Sequence, residues 1–504
     1  MTGALPSVLW RAVVCAARQF LPSWLVGIES PRSHGSSRWA STSERKRLGR
    51  VAAPDQLAGD GIVLGFFGGR VIQSPREDNV LLLGVQRSGK TSSVVVPTLL
   101  AWSGAAVATS TKEELVTLSV DRRRRIGPIW VFAPLDEDTT WIERIGLESS
   151  TWNPLQAATT SGAAAELADH FTSDGKRGQN AHWYLAAASL IAGLVICERE
   201  QSGDMRSVVA RLNRTAPAQY VGLARSVKDT TAAELLLAHA LTPEKEAGSI
   251  ASTARSSLSI WSDERVAAAT RTTPNALDLD QLLVDSGTLY LVAPGEDAER
   301  CRPLFSALLM SLLRRATARA RKLDGLLAPR LLIALDEAAN FARVPRLAAY
   351  ASSGPGQGIQ LLLCYHDLAQ IESGYGHEEA RTIWNNCRAR LLLPGQGDLR
   401  TLDLFSRAIG DETRVYRTRQ SESRYSGSLE QRVGKPLVSV DELRRMSDAV
   451  LVYANASPAR LQLRRWDQVP AWRRLVGPLP RPFLSAGGAG KGGLEWPTSS
   501  LTSQ

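Results

Sequence analysis

The chain has 504 residues, 44% hydrophobic and 22% charged, the balance of a soluble globular protein long enough for two or three domains. Five cysteines are scattered without a Cys-x-x-Cys pair, which excludes a zinc site or disulfide framework and suits a reducing compartment. A net charge of +10 and a pI near 9.6 fit a polyanionic partner without naming one.

Residues 8–28 are apolar, but Arg11, Arg18 and Pro22 interrupt them, so no transmembrane helix is expected there or elsewhere, and no signal peptide. An amphipathic surface or docking helix and a core-capping helix both fit. Residues 30–50 are rich in Ser and Arg and read as a basic linker. The nucleotide-binding fold should begin near Gly61. Leu81-Leu82-Leu83 then runs into Gly84-Val85-Gln86-Arg87-Ser88-Gly89-Lys90-Thr91, an apolar strand feeding a phosphate-binding loop. Gly84 and Gly89 let the backbone curl so that successive N–H groups face phosphate, and the helix expected over 91–102 adds its positive end. Lys90 would reach the β/γ-phosphates of ATP, and the Thr91 hydroxyl would ligate Mg²⁺.

Apolar runs at 105–109 and 129–133 predict the next buried strands, around a helical stretch ending in Arg122-Arg123-Arg124-Arg125. This alternation implies an α/β fold with a parallel sheet. From 155 to 270 the chain turns Ala- and Leu-rich with helical period, as an inserted all-α domain would. Strand signals resume at 288–293, 331–335, 359–365, 389–393 and 450–453. The run Leu331–Leu335 ends in Asp336-Glu337, at the carboxyl end of a buried strand where such sheets bind ligands. Asp336 would hold the metal shell and Glu337 polarise the attacking water, which favours hydrolysis over mere binding. The expected divisions are residues 1–60 (amphipathic segment and linker), 61–154 and 271–475 (the two parts of the nucleotide-binding domain), 155–270 (the insert) and 476–504 (a disordered tail).

An ordered set of motifs resembles the type IV coupling proteins of conjugation and secretion, the TraG/TraD group, including a C-terminal TraM-recognition-like region. It comprises Gly61-Ile62-Val63-Leu64-Gly65, the phosphate loop, Ser110-Thr111-Lys112-Glu113-Glu114, Trp152-Asn153-Pro154-Leu155 and Leu335-Asp336-Glu337-Ala338. Gly358-Ile359, Tyr375-Gly376, Asn385-Asn386, Pro436-Leu437 and Asp441-Glu442-Leu443 complete it. The resemblance implies a RecA-like P-loop ATPase with an all-α insert that recognises cargo. It also implies a homo-hexameric ring delivering single-stranded DNA, with its relaxase or relaxosome proteins, to a secretion channel. Three departures stand out. Family members typically carry two transmembrane helices ahead of the motor and none is expected here, so this chain looks cytoplasmic, reaching the membrane through a partner or its own 8–21 segment. Pro355 stands where the family places an arginine that reaches a neighbouring subunit's γ-phosphate, leaving Arg343, Arg346, Arg381 and Arg388 as substitutes. His366 stands where a glutamine senses the γ-phosphate; beside Asp367, its imidazole would donate a hydrogen bond and could carry charge.

Basic clusters at 45–47, 122–125, 314–322, 464–465 and 473–474 read mostly as solvated faces, with Trp466 and Trp472 the few adjacent aromatics. DNA binding would then be sequence-independent and salt-sensitive. The leading reading is a coupling ATPase of conjugative type IV secretion. A double-stranded DNA translocase of the FtsK/HerA kind and a nucleotide-binding cargo adaptor with weak or no hydrolysis are the alternatives.

Overall fold

The computed structural model describes residues 34–173, 181–341, 343–344, 346–422 and 425–479. The expected amphipathic segment and the tail beyond 479 lie outside the described residues. By its internal contacts the chain forms two units, one containing residues 403–443 with 34–38, the other containing 39–402 with 444–479.

In the larger unit, β1 (Arg50–Ala52), β2 (Val63–Phe67) and β3 (Arg70–Gln73) form a small antiparallel sheet in the order β1-β3-β2. The stretch read as a linker therefore carries structure. Ser41 and Glu44 close a capping box on the turn Thr42–Arg47, and β1 follows at once.

The main sheet uses β4 (Val80–Leu83), β5 (Ala105–Ser110), β6 (Ile129–Phe132), β7 (Thr288–Val292), β8 (Leu331–Leu335), β9 (Ile359–Tyr365) and β10 (Ala389–Leu392). These seven pair in parallel, as expected from their apolar runs. Every residue of β4, β5, β7, β8 and β9 is buried, which requires covering on both faces. Residues 411–436 of the smaller unit pair as an antiparallel ribbon, β11 (Asp411–Glu422) with β12 (Tyr425–Pro436). Its Thr413 hydroxyl donates to Gly35 O at 2.9 Å. Back in the main sheet, β13 (Ala449–Tyr453) and β14 (Ala459–Leu461) add antiparallel at one edge, giving the order β14-β13-β10-β4-β9-β8-β5-β7-β6. The sheet is thus mixed. Its order decides the site: β9 lies between β4, which feeds the phosphate loop, and β8, which ends in the acidic pair.

Helices fill the chain between β6 and β7. Ala181–Glu200 runs through their middle against Ser161–Phe171, Thr230–Leu241 and Glu244–Ser257. At Gly193 a β-carbon would meet Leu236 at 3.1 Å, so glycine permits that close approach. Among the described residues this is the one helix long and apolar enough to cross a membrane, and 61% of that stretch is buried within the protein. Entry and exit of the helical region are laced together. Trp152 N–H donates to Ala269 O at 2.9 Å, and Leu277 N–H to Thr151 O at 2.8 Å. The Asn153 amide nitrogen donates to Gly203 O at 3.2 Å and Thr272 Oγ1 at 3.1 Å, while its oxygen accepts from Leu155 N–H.

Candidate nucleotide site

The loop after β4 is shaped by steric necessity. A β-carbon on Gly84 would sit 2.7 Å from Ser88 Oγ and 2.8 Å from Leu393 Cβ. Arg87 at φ +65° and Gly89 at φ +93° turn the chain through left-handed conformations, which costs an arginine about 1 kcal/mol and a glycine almost nothing. Ser88 braces the turn by donating from N–H and Oγ to Val85 O, at 3.2 and 2.7 Å. The helix then opens with one wide turn, Thr91–Val95, in which Val96 N–H reaches back to Thr91 O. Pro97, lacking an N–H, falls in the first turn of the α-helix Val96–Ala101, where it is tolerated. Lys90 is buried, its ammonium donating to Gly84 O at 2.7 Å and Val85 O at 3.0 Å.

Two strands away, β8 delivers the acidic pair. The Thr91 hydroxyl donates to Asp336 Oδ2, joining the loop to β8, while Asp336 Oδ1 is buried without a hydrogen-bond partner. An anionic oxygen left bare beside a hydroxyl is the donor set that Mg²⁺ favours, so these residues fit that ion. Burial pushes the Asp336 carboxyl up to about 6, against the opposing pull of Thr91 and Lys90. The Thr109 hydroxyl of β5 donates to the Asp336 carbonyl at 2.7 Å and fixes its height. Glu337 follows at φ +52°, an uncommon conformation for a glutamate, and its carboxylate is half-buried within 3.5 Å of the Asn340 amide nitrogen.

His366 directly follows β9, close enough to Lys90 and Glu337 for both to influence its titration. The backbone is held firmly: its N–H donates to Gln370 Oε1 at 2.8 Å and its carbonyl accepts from Gln396 Nε2 at 2.7 Å. Nε2 is buried without a partner. The expectation of a charge induced by Asp367 is corrected here. Burial first, and Lys90 second, hold the imidazole below its ordinary value of 6.5, and Asp367 instead caps the helix Leu368–Tyr375 by accepting from Gln370 N–H. Burial thus favours the uncharged imidazole.

A cavity of about 700 Å³ brings together Gln86, Arg87, Gly89, Lys90 and Thr91 with Asp336 and Glu337. His366 is not among the residues that line it. The remaining lining includes Lys112 and Arg465, to which no nucleotide role fell on sequence grounds. Lys112 follows β5, next to β8, so its place at a parallel strand's carboxyl end was a usable signal. No local signal marks Arg465, which lies in a basic pair far along the chain.

Other arginines turn out to be structural. Arg123 is fully buried and donates to Thr288 Oγ1 and Gly104 O, both at 2.7 Å, and to Trp102 O. Burial lowers its pKa to about 10. Arg122 and Arg124 bond to Leu100 O and Ile145 O, so this cluster ties elements together and is not simply a solvated face. Trp466 and Trp472 are buried and offer no stacking surface. Pro355 is buried, its carbonyl accepting from Arg330 at 3.2 Å. Of the proposed substitutes, Arg388 pairs with Asp78 at 3.2 Å and Arg381 with Glu378 at 4.0 Å. Arg343 donates to Ser373 O at 3.5 Å, and Arg346 opens a short helix at φ +58°. None of the four lines the cavity.

Residues 38–466 match the family described as type IV secretory system conjugative DNA transfer. The chain belongs to this family. It is 26% identical over 474 residues to the conjugal transfer protein TraG of Escherichia coli, covering 82% of this chain and 71% of TraG. Protein VirD4 of Rhizobium rhizogenes is 22% identical, covering 92% of this chain and 70% of VirD4. The fold is shared with the plasmid coupling protein TrwB in complex with ADP and Mg²⁺, with a TM-score of 0.63, 18% identity and coverage of 86% and 96%. Membership makes this chain a coupling protein with a RecA-like P-loop ATPase fold and a helical domain.

Proposed function

We propose that this coupling protein binds ATP with Mg²⁺ in the 700 Å³ cavity and hydrolyses it to move DNA and attached protein toward a secretion channel. The observation that carries the reading is the bare, buried Asp336 Oδ1 beside the Thr91 hydroxyl and Lys90. TrwB, of the same fold, has been seen with ADP and Mg²⁺, which supports the same ligands here. When bound, Mg²⁺ would supply charge neutralisation of the β- and γ-phosphates. Lys90 would leave its loop carbonyls for the phosphate oxygens, a better partner for an ammonium than neutral carbonyls. Glu337 would orient a water and take its proton. His366 does not line the cavity, so to sense the γ-phosphate its imidazole would have to turn toward the site when nucleotide binds, and its backbone bonds to Gln370 and Gln396 would pass the change to the following helices.

DNA would be held through its phosphates, in a homo-hexamer whose neighbouring subunits supply the missing cationic contact. The assay is ATP turnover with single strands, duplex or no DNA across a salt series. Stimulation by single strands that fades steeply with salt is the expected result. Stimulation by duplex alone would favour a duplex translocase. Buried Pro355, and a His366 whose burial disfavours charge, favour one second reading, a cargo adaptor that binds nucleotide with little turnover. No DNA response under any condition would support it.

A further inference from the structure

The cavity's lining includes an arginine that is unusually well fixed. Arg465 donates from Nε and Nη2 to the two oxygens of Asp467, at 3.0 and 3.2 Å, and its N–H donates to Gln468 Oε1 at 3.1 Å. On one side, Gln462 exchanges backbone bonds of 2.9 Å with Phe66, and the Arg464 guanidinium lies 4.6 Å above the Phe66 ring. On the other, Trp466 is buried, and Trp472 is buried with its indole donating to Pro54 O at 3.2 Å. The segment is pinned at both ends. Asp467 is the less exposed member of the pair, at 12% side-chain exposure against 49% for Arg465. The arginine therefore projects into the space that it shares with the phosphate loop.

Its electrostatics distinguish it from Lys90. The bidentate carboxylate already neutralises Arg465, so a phosphate would have to compete with Asp467 for the same N–H groups. What remains available is the planar face of the guanidinium and the Nη1 edge. Such a face stacks on aromatic rings, and the phosphate end of the cavity is already defined by Lys90, Thr91 and Asp336. We infer that Arg465, held by Asp467, forms the nucleobase end of the site and stacks its face on the base. A stacked face reads no hydrogen-bond pattern, so adenine and guanine nucleotides would bind with similar strength. This rests on the nucleotide reading above.

The test compares Mg²⁺–ATP with Mg²⁺–tripolyphosphate, which has the phosphates but no base, by calorimetry on the full chain. Arg465→Ala should weaken ATP roughly tenfold and leave tripolyphosphate unchanged. Arg465→Lys, which keeps the charge and loses the plane, should be as weak for ATP as the alanine variant. Equal loss for both ligands, rescue by lysine, or no loss for ATP would each overturn the assignment. Thermal melting of the lysine variant provides the folding control. A wild-type chain that binds neither ligand would remove the nucleotide reading itself, and the inference with it.

Discussion

Asp336 offers the sharpest physical test of the site. Its carboxyl is displaced from 3.8 to about 6 because burial disfavours the charge, and Oδ1 has nothing to bond. Two pKa units correspond to roughly 3 kcal/mol between ionised and protonated forms. With the folded pKa raised, the native chain binds more protons than the unfolded chain between pH 3.8 and about 6, so stability falls across that window. The full penalty is present above it. Asp336→Asn removes the charge, and without ligand it should raise stability at pH 8 by up to about 3 kcal/mol, read from denaturant melts. Mg²⁺–nucleotide reverses the balance, because metal at Oδ1 requires the ionised form. Affinity should therefore climb up to about tenfold per pH unit below about 6 and level off above it, with protons released on binding. The nucleotide's own phosphates titrate in both proteins, so the readout is the difference between wild type and Asp336→Asn in calorimetry at several pH values. An identical pH profile in the two, or a variant less stable than wild type at pH 8, would refute the reasoning.

Further outcomes follow from individual contacts. Thr109→Val removes the 2.7 Å bond to the Asp336 carbonyl and should cost about 1–3 kcal/mol in a denaturant melt, with weaker Mg²⁺–nucleotide binding. Asn153→Ala unlaces the base of the helical region, and limited proteolysis should cut near residues 150–155 and 270–275 faster than in wild type. Because burial disfavours a charge on His366, His366→Gln should keep turnover within a fewfold. His366→Ala should lower kcat by roughly tenfold, the worth of one neutral hydrogen bond.

Much of this was legible in the apolar runs. Leu81–Leu83, Leu331–Leu335 and Ile359–Tyr365 are continuous because both faces of each strand are covered, and the seven parallel strands fall where those runs lie. The small sheet of β1 to β3 was hidden. Its strands are three to five residues long, and Gly65, at φ +140°, sits where the pairing register shifts. The 411–436 ribbon has no alternating apolar pattern, so nothing local announced it. The phosphate loop and acidic pair are local motifs and could be read directly, whereas Arg465 reaches the cavity only through the pairing of its segment with β2. Charge runs misled for the same reason: Arg123 looks like its neighbours in sequence and is buried by the packing of its helix.

The most direct test of the central claim is phosphate release from Mg²⁺–ATP by the full chain, beside Glu337→Gln. Wild type should show measurable turnover. The variant should bind nucleotide with unchanged affinity while its kcat falls by roughly 10²–10⁴, as loss of a general base requires. Tight binding without turnover in wild type, or a variant as active as wild type, would contradict it.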